Sequence, residues 1–218
     1  MDSREHGASS SSPNADITIV SLQWGTAESA FRLGLSDGSS FFIPFESYDA
    51  SRYFAGASLE REEMEELRTA EEAFLVRRKA LDLLSRREHS SQELLLKLCQ
   101  RGFGRELAER VCSELAFQGL LDDGRFARVY VSSRLRRKPE GPRLMERRLR
   151  QKGVPREVIS AVLEETYTPE VLDEALTGSL EKIKRKKAGL SREEYMRKLE
   201  KMGFHYRDIA LFFEKHDF

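Results

Sequence analysis

Between Arg125 and Arg156 the chain carries twelve basic residues, and only Glu140 and Glu146 oppose them. Side chains of this kind bind anions; they do not by themselves make or break bonds. Arg125, Arg128, Arg134, Arg136, Arg137 and Lys138 fall on one predicted helix and its end. Arg143, Arg147, Arg148, Arg150 and Lys152 fall on the next. Arg143 and Arg147 stand at i, i+4 and Arg150 three residues further, which places a cationic ridge on that helix. Arg136, Arg137 and Lys138 gather where the first helix ends, a position its dipole favours for positive charge. With two carboxylates among twelve cations the face repels itself, so an anionic partner would stabilise it. These eleven residues are the candidate partner-binding or DNA-binding set, the anion being either DNA phosphate or acidic protein side chains. A second run, Lys182, Lys184, Arg185, Lys186 and Lys187, is flanked more closely by acidic residues and reads equally well as a solvated face.

Other candidates for chemistry reduce to structure. Asp122-Asp123-Gly124-Arg125-Phe126-Ala127 could suggest a metal ligand set, but an aspartate there caps a helix while Phe126 and Tyr130 enter a core at i, i+4. Phe103, Phe204, Phe212 and Phe213 read as core. Trp24 either packs in a small sheet or stacks on a base or partner. No phosphate-binding glycine loop, His-Glu-x-x-His or paired Cys-x-x-Cys occurs. His6, His89, His205 and His216 are scattered, and Cys99 and Cys112 sit among helix-forming residues as small apolar side chains. No catalytic residue, metal or cofactor is therefore expected.

The elements that must hold the basic face follow from patterning. The 218 residues have a net charge of zero, but this is a cancellation. Residues 1–75 carry −9 and residues 76–218 carry +9, a surplus that comes from the +10 of the stretch 125–156. No apolar run is long enough to span a membrane and the N-terminus has no secretory apolar core, so a soluble cytoplasmic protein is expected. Residues 1–15, with a serine run, are expected to be a disordered tail. A small β segment follows over 16–58, with strands at 17–24, 31–35 and 41–45 and an Asp37-Gly38 hairpin turn. Pro44 puts the last strand at an edge or ends it. Such a sheet needs a helix to cover it. Residues 59–75 read as an acidic helical linker.

From residue 76 onward the sequence repeats with a period of about 50 residues. Three segments, 91–103, 142–154 and 192–204, each end in a glycine followed by an apolar residue, with the glycines at 102, 153 and 203. Each segment predicts a capped helix stopped by a left-handed glycine. Ser90 with Glu93 and Ser191 with Glu194 are expected capping boxes, and Gly141-Pro142 opens the middle copy. A following helix buries residues 108, 111 and 112, then 159, 162 and 163, then 209, 212 and 213. A helix also precedes each unit, at 76–87, 123–138 and 169–187. The expected fold is mainly α: three tandem three-helix repeats (76–121, 122–167 and 168–218) stacked as an elongated curved rod behind a small N-terminal β segment.

Three motifs in order carry a resemblance to a known family. Ala80-Leu-Asp-Leu-Leu-Ser-Arg-Arg-Glu-His-Ser-Ser-Gln-Glu-Leu94 resembles the first-repeat motif of the RecX regulatory family. Gly119-Leu-Leu-Asp-Asp-Gly-Arg-Phe-Ala-Arg-Val-Tyr-Val-Ser-Ser-Arg134 resembles its link into the second repeat. Gly141-Pro-Arg-Leu-Met-Glu-Arg-Arg-Leu-Arg-Gln-Lys-Gly-Val-Pro155 resembles that repeat's core. The similarity covers roughly residues 76–218, and the segment before it resembles the N-terminal extension of longer members. The resemblance implies a non-catalytic modulator of the RecA recombinase. It would act in homologous recombination and DNA repair as a monomer that lodges in the groove of the RecA filament on single-stranded DNA. There it would restrain strand exchange and ATP hydrolysis. The third repeat departs from the pattern, with Met202 in place of the basic residue before its glycine. A stand-alone nucleic-acid-binding helical-repeat protein is the alternative reading.

Overall fold

The computed structural model describes residues 17–26 and 29–217; the tail expected to be disordered at 1–15 lies outside them. The chain divides into two compact units, up to Arg78 and from Lys79.

In the first unit, β-branched and aromatic residues form β1 (Ile17–Gly25), β2 (Ala30–Leu35) and β3 (Ser40–Pro44). The β2–β3 turn uses Gly38 at φ 84°, while Asp37 accepts the Ser39 N–H at 2.8 Å. This is the geometry that Asp-Gly favours. β3 is an edge strand and stops at Pro44, the residue that cannot donate to a ladder. A fourth strand, β4 (Ser58–Leu59), corrects the three-stranded expectation: it pairs antiparallel with β1 at Ile17 and Thr18, giving the order β3-β2-β1-β4. Two residues are too short to show alternation, so the pattern could not reveal it. Helix α1 runs unbroken from Arg61 to Arg86. Its acidic first half is more than the linker read from sequence, because Met64 and Leu67 are buried with Ile19, Leu33, Phe41 and Ile43 of the sheet. Phe74 stacks on Phe42 at 6.3 Å, and Glu71 accepts the Phe42 N–H. The covering helix that a small sheet requires is therefore α1.

The second unit continues with α2 (Ser91–Cys99), α3 (Arg105–Phe117), α4 (Asp123–Arg137), α5 (Pro142–Gln151), α6 (Arg156–Thr166), α7 (Pro169–Lys186), α8 (Arg192–Lys201) and α9 (Tyr206–Lys215). Glycines 102, 153 and 203 take φ of 89°, 75° and 93°, ending α2, α5 and α8 as the repeat predicts. The expected core positions are buried, apart from the half-buried Phe103, Tyr130 and Leu163. The second repeat has its own cluster around Phe126, Met145, Leu149 and Ile159, and the third around Leu176, Leu199, Phe204 and Phe213. Leu135 packs against both. Asp122 caps α4 by accepting the Gly124 and Arg125 N–H groups at 2.7 and 3.0 Å.

The repeats are joined by one recurrent contact. The N-terminal turn of α2 meets the C-terminal turn of α5, where Ser90 Oγ donates to the Lys152 carbonyl. The N-terminal turn of α5 meets the C-terminal turn of α8 in the same way: Gly141 N donates to Met202 O at 2.8 Å and Arg143 N to Gly203 O at 3.0 Å. At the α5–α8 joint orphan N–H donors of one helix start satisfy carbonyls at another helix end, and at the α2–α5 joint the Ser90 hydroxyl does so. This contact also corrects one capping box. Ser191 and Glu194 close theirs, but Glu93 does not reach back to Ser90; it pairs instead with Lys152 and Arg87 across and beside the joint.

Candidate partner-binding surface

The eleven candidates lie on α4, α5 and the connections at their ends, and most of them have acidic partners, some from other elements. Arg125 Nε donates to Glu88 at 2.6 Å, and its two Nη atoms donate to the Gly119 and Leu120 carbonyls at 3.0 Å each. Arg128 pairs with Glu165 at 3.2 Å and Arg150 with Glu146 one turn before it. Lys152 pairs with Glu93 and lies 5.4 Å over the Tyr130 ring. Arg134, Lys138 and Arg148 share the carboxylate of Glu140.

Glu140 is the centre of this arrangement. Its side chain is 1% exposed. Arg148 grips it with two hydrogen bonds, Nε to Oε2 at 2.8 Å and Nη2 to Oε1 at 3.1 Å, and Arg134 adds a third at 2.8 Å. Burial acts to raise its pKa and is the largest single influence. The hydrogen bonds and charges of Arg134 and Arg148 outweigh it, so the carboxyl is held below its ordinary value. The backbone of the same connection is also tied down. Tyr167 donates to Glu140 O at 2.6 Å, and Ser179 donates to Pro139 O at 3.3 Å.

Four of the eleven candidates remain: Arg136, Arg137, Arg143 and Arg147. All are exposed, and none has an acidic partner among the described residues. They flank residues 138–141, two at the C-terminal end of α4 and two on the first turns of α5. The candidate set of eleven cations, expected to repel one another, is in fact mostly paired. Carboxylates from Glu88, Glu93 and Glu165, which lie outside the basic stretch, neutralise residues that a count along the chain left unopposed. Arg148, one of the candidate contact residues, is a half-buried structural clamp.

Trp24 lies 4.9 Å from Phe31 and 5.8 Å from Phe45 and keeps nearly half its surface open, so it packs edge-on in an aromatic group on the sheet. Cys112 is buried, and burial pushes its thiol up to about 11, which leaves it unreactive. Among the described residues no group of three or more His, Cys, Asp or Glu is placed to hold a metal, and no helix is long and apolar enough to cross a membrane. One feature the sequence reading missed is Phe117, 95% exposed at the end of α3. It falls two positions after the buried Leu115, out of phase with Ala108, Val111 and Cys112, so periodicity could have marked it as outward-facing.

His89 gives this repeat a pH dependence. It is buried, with Nδ1 2.9 Å from the Arg87 carbonyl and Nε2 3.0 Å from Lys97 Nζ, a setting that suits the neutral ring protonated on Nδ1. Burial lowers its pKa below the ordinary 6.5. The unfolded chain therefore takes up the proton first as pH falls. The stability from neutral His89 is present above 6.5 and is lost as pH drops toward the lower folded value. Urea denaturation at neutral and mildly acidic pH should show this loss, with a shallower dependence in His89→Gln.

Comparison with known proteins places these features in a family. Residues 77–115 match the model for the first three-helix domain of RecX, and residues 122–163 match the model for the second. A regulatory protein RecX of Halorhodospira halophila is 48% identical over 102 residues, 47% of this chain and 62% of the relative. One from Pelodictyon phaeoclathratiforme is 35% identical over 134 residues, 60% of this chain and 81% of the relative. The chain spans 54–62% of the length of the Halorhodospira protein and of two further curated relatives. A crystal structure of regulatory protein RecX superposes with a TM-score of 0.76 over 91% of this chain and 99% of that one, at 22% identity, a likeness of fold.

Proposed function

Because the chain belongs to the RecX family, we propose that it is a non-catalytic regulator that binds the RecA filament on single-stranded DNA and restrains its ATPase and strand-exchange activities. Arg136, Arg137, Arg143 and Arg147 are the cations it offers to the filament groove. The observation that carries this reading is their exposure without acidic partners on either side of a connection made rigid by Glu140. Anchored backbone presents the charges at little ordering cost, which favours a fixed anionic surface over a diffuse one. The paired cations Arg125, Arg134, Arg148 and Lys152 maintain the repeats and their joint.

The experiment is a titration into recombinase assembled on single-stranded DNA, reading ATP hydrolysis and strand exchange. The unaltered protein inhibits both. The combined variant Arg136→Glu, Arg137→Glu, Arg143→Glu and Arg147→Glu keeps its helicity and weakens binding by about ten-fold or more, as reversal of charges at a complementary surface does. The same arginines also fit naked nucleic acid. That second reading requires substantial affinity for a free single strand, with a log–log salt slope of about −3 for four phosphate contacts. Tight filament binding beside weak naked-strand binding rejects it.

A further inference from the structure

An open groove of about 560 Å³ lies where α4, α7 and α8 end, lined by Lys138, Lys182, Ile183, Arg185, Lys186 and Met202. Ile183 and Met202 pack their inner sides against the third-repeat core and form an aliphatic floor. The rim is cationic. Lys138 reaches Glu140 only at 3.6 Å, and Lys182 contacts the Arg137 carbonyl at 3.5 Å. Arg185 and Lys186 are exposed and have no acidic partner among the described residues. Helix dipoles explain cations along a last turn. They do not explain an apolar floor left open between them.

We propose that this groove binds an acidic peptide segment, with one aliphatic or aromatic side chain on the Ile183–Met202 floor and flanking carboxylates on the four basic residues. Its size lies in the roughly 300–1,000 Å³ range of side-chain and small-ligand pockets. The thioether of Met202 adapts to different inserted side chains. A single-stranded nucleic acid would look for aromatic platforms on which to stack its bases, and no aromatic residue lines the groove. Charge complementarity selects carboxylates, and the floor selects the apolar anchor between them. The groove adjoins the end of α4 through Lys138 but is built mainly from α7 and α8, and its test varies Arg185 and Lys186, neither of which belongs to the proposed function.

The test is fluorescence anisotropy of the full chain with a labelled short peptide bearing one leucine between glutamates and aspartates. Binding should be saturable and weaken with salt. It should fall about ten-fold when the peptide leucine becomes serine, the scale of losing one buried aliphatic side chain. A similar loss is expected for Arg185→Glu with Lys186→Glu, whose circular dichroism should match that of the unaltered protein. Peptide binding that ignores both changes overturns the proposal. So does an oligothymidylate that displaces the peptide with equal affinity and shows the same sensitivity to the protein variant.

Discussion

Replacing Glu140 by alanine is expected to destabilise the second unit by about 2–3 kcal/mol, at or just below the low end for breaking a fully buried ion pair. The loss arises because Arg134 and Arg148, which now converge on one carboxylate, would be left as neighbouring like charges. Both are about 30% exposed and can turn partly to solvent, which keeps the cost below that of a fully buried orphan charge. Arg134 has little to spare, since its Nε is already buried with no hydrogen-bond partner. Glu140→Gln, which keeps the shape and loses the charge, should cost less. Urea denaturation reads the effect as a midpoint lowered by about 1–2 M, at a slope typical of small proteins. The pH dependence supplies a second readout. The Glu140 pKa is depressed on folding, so its contribution is present above the ordinary 4.5 and is lost as pH falls through the lower folded value. Glu140→Gln should remove that part of the acid sensitivity.

An equally large effect is expected at the joint between the second and third repeats. A Cβ on Gly141 would lie 2.2 Å from Gly203 C and Phe204 N, and one on Gly203 would lie 2.4 Å from Leu144 Cβ. The Gly141 contacts are backbone and cannot rotate away, so Gly141→Ala must push α5 from the end of α8. That breaks the bonds from Gly141 N to Met202 O and from Arg143 N to Gly203 O. Gly203→Ala adds the strain of φ 93°. Overpacking together with the lost hydrogen bonds should cost about 2–4 kcal/mol. Stability in a repeat array is a sum of repeat and interface terms, so the third repeat should also unfold separately from the second. Hydrogen exchange would detect this as faster exchange in α8 and α9 at unchanged protection in α2 and α3. Gly102→Ala is the comparison. It carries the φ strain alone, because nothing lies within 4 Å of its Cβ position.

These joints mark where the sequence was readable and where it was not. The period of about 50 residues, the glycine stops and the buried triads are local signals, each set by helix geometry within a few residues, and they predicted the helices well. The hairpin at Asp37-Gly38 was readable for the same reason. The joints are not local. That Gly141 faces Gly203, or that Glu93 abandons its own helix start for Lys152, depends on residues some 60 positions apart. The candidate site shows the same division. Counting charge from Arg125 to Arg156 located the cationic region, but a count assigns no partners. Arg125 and Arg128 each find a carboxylate 37 positions away, so of the eleven candidates only Arg136, Arg137, Arg143 and Arg147 are left without an acidic partner among the described residues. Arg148 illustrates the difference: one position from Arg147 in sequence, it turns toward Glu140 while its neighbour turns to solvent.

The central claim is that the face of α5 bearing Arg147 meets the filament, and site-specific photocrosslinking tests it most directly. A crosslinking residue in place of Gln151, exposed and four positions after Arg147, leaves every proposed contact arginine intact. The control position is the exposed Ser113 on α3. On recombinase assembled with single-stranded DNA, position 151 should crosslink to the filament and position 113 should not. The signal at 151 should vanish in the four-arginine reversal. Crosslinks from 113 but not 151, or a signal at 151 that survives the reversal, would contradict the account.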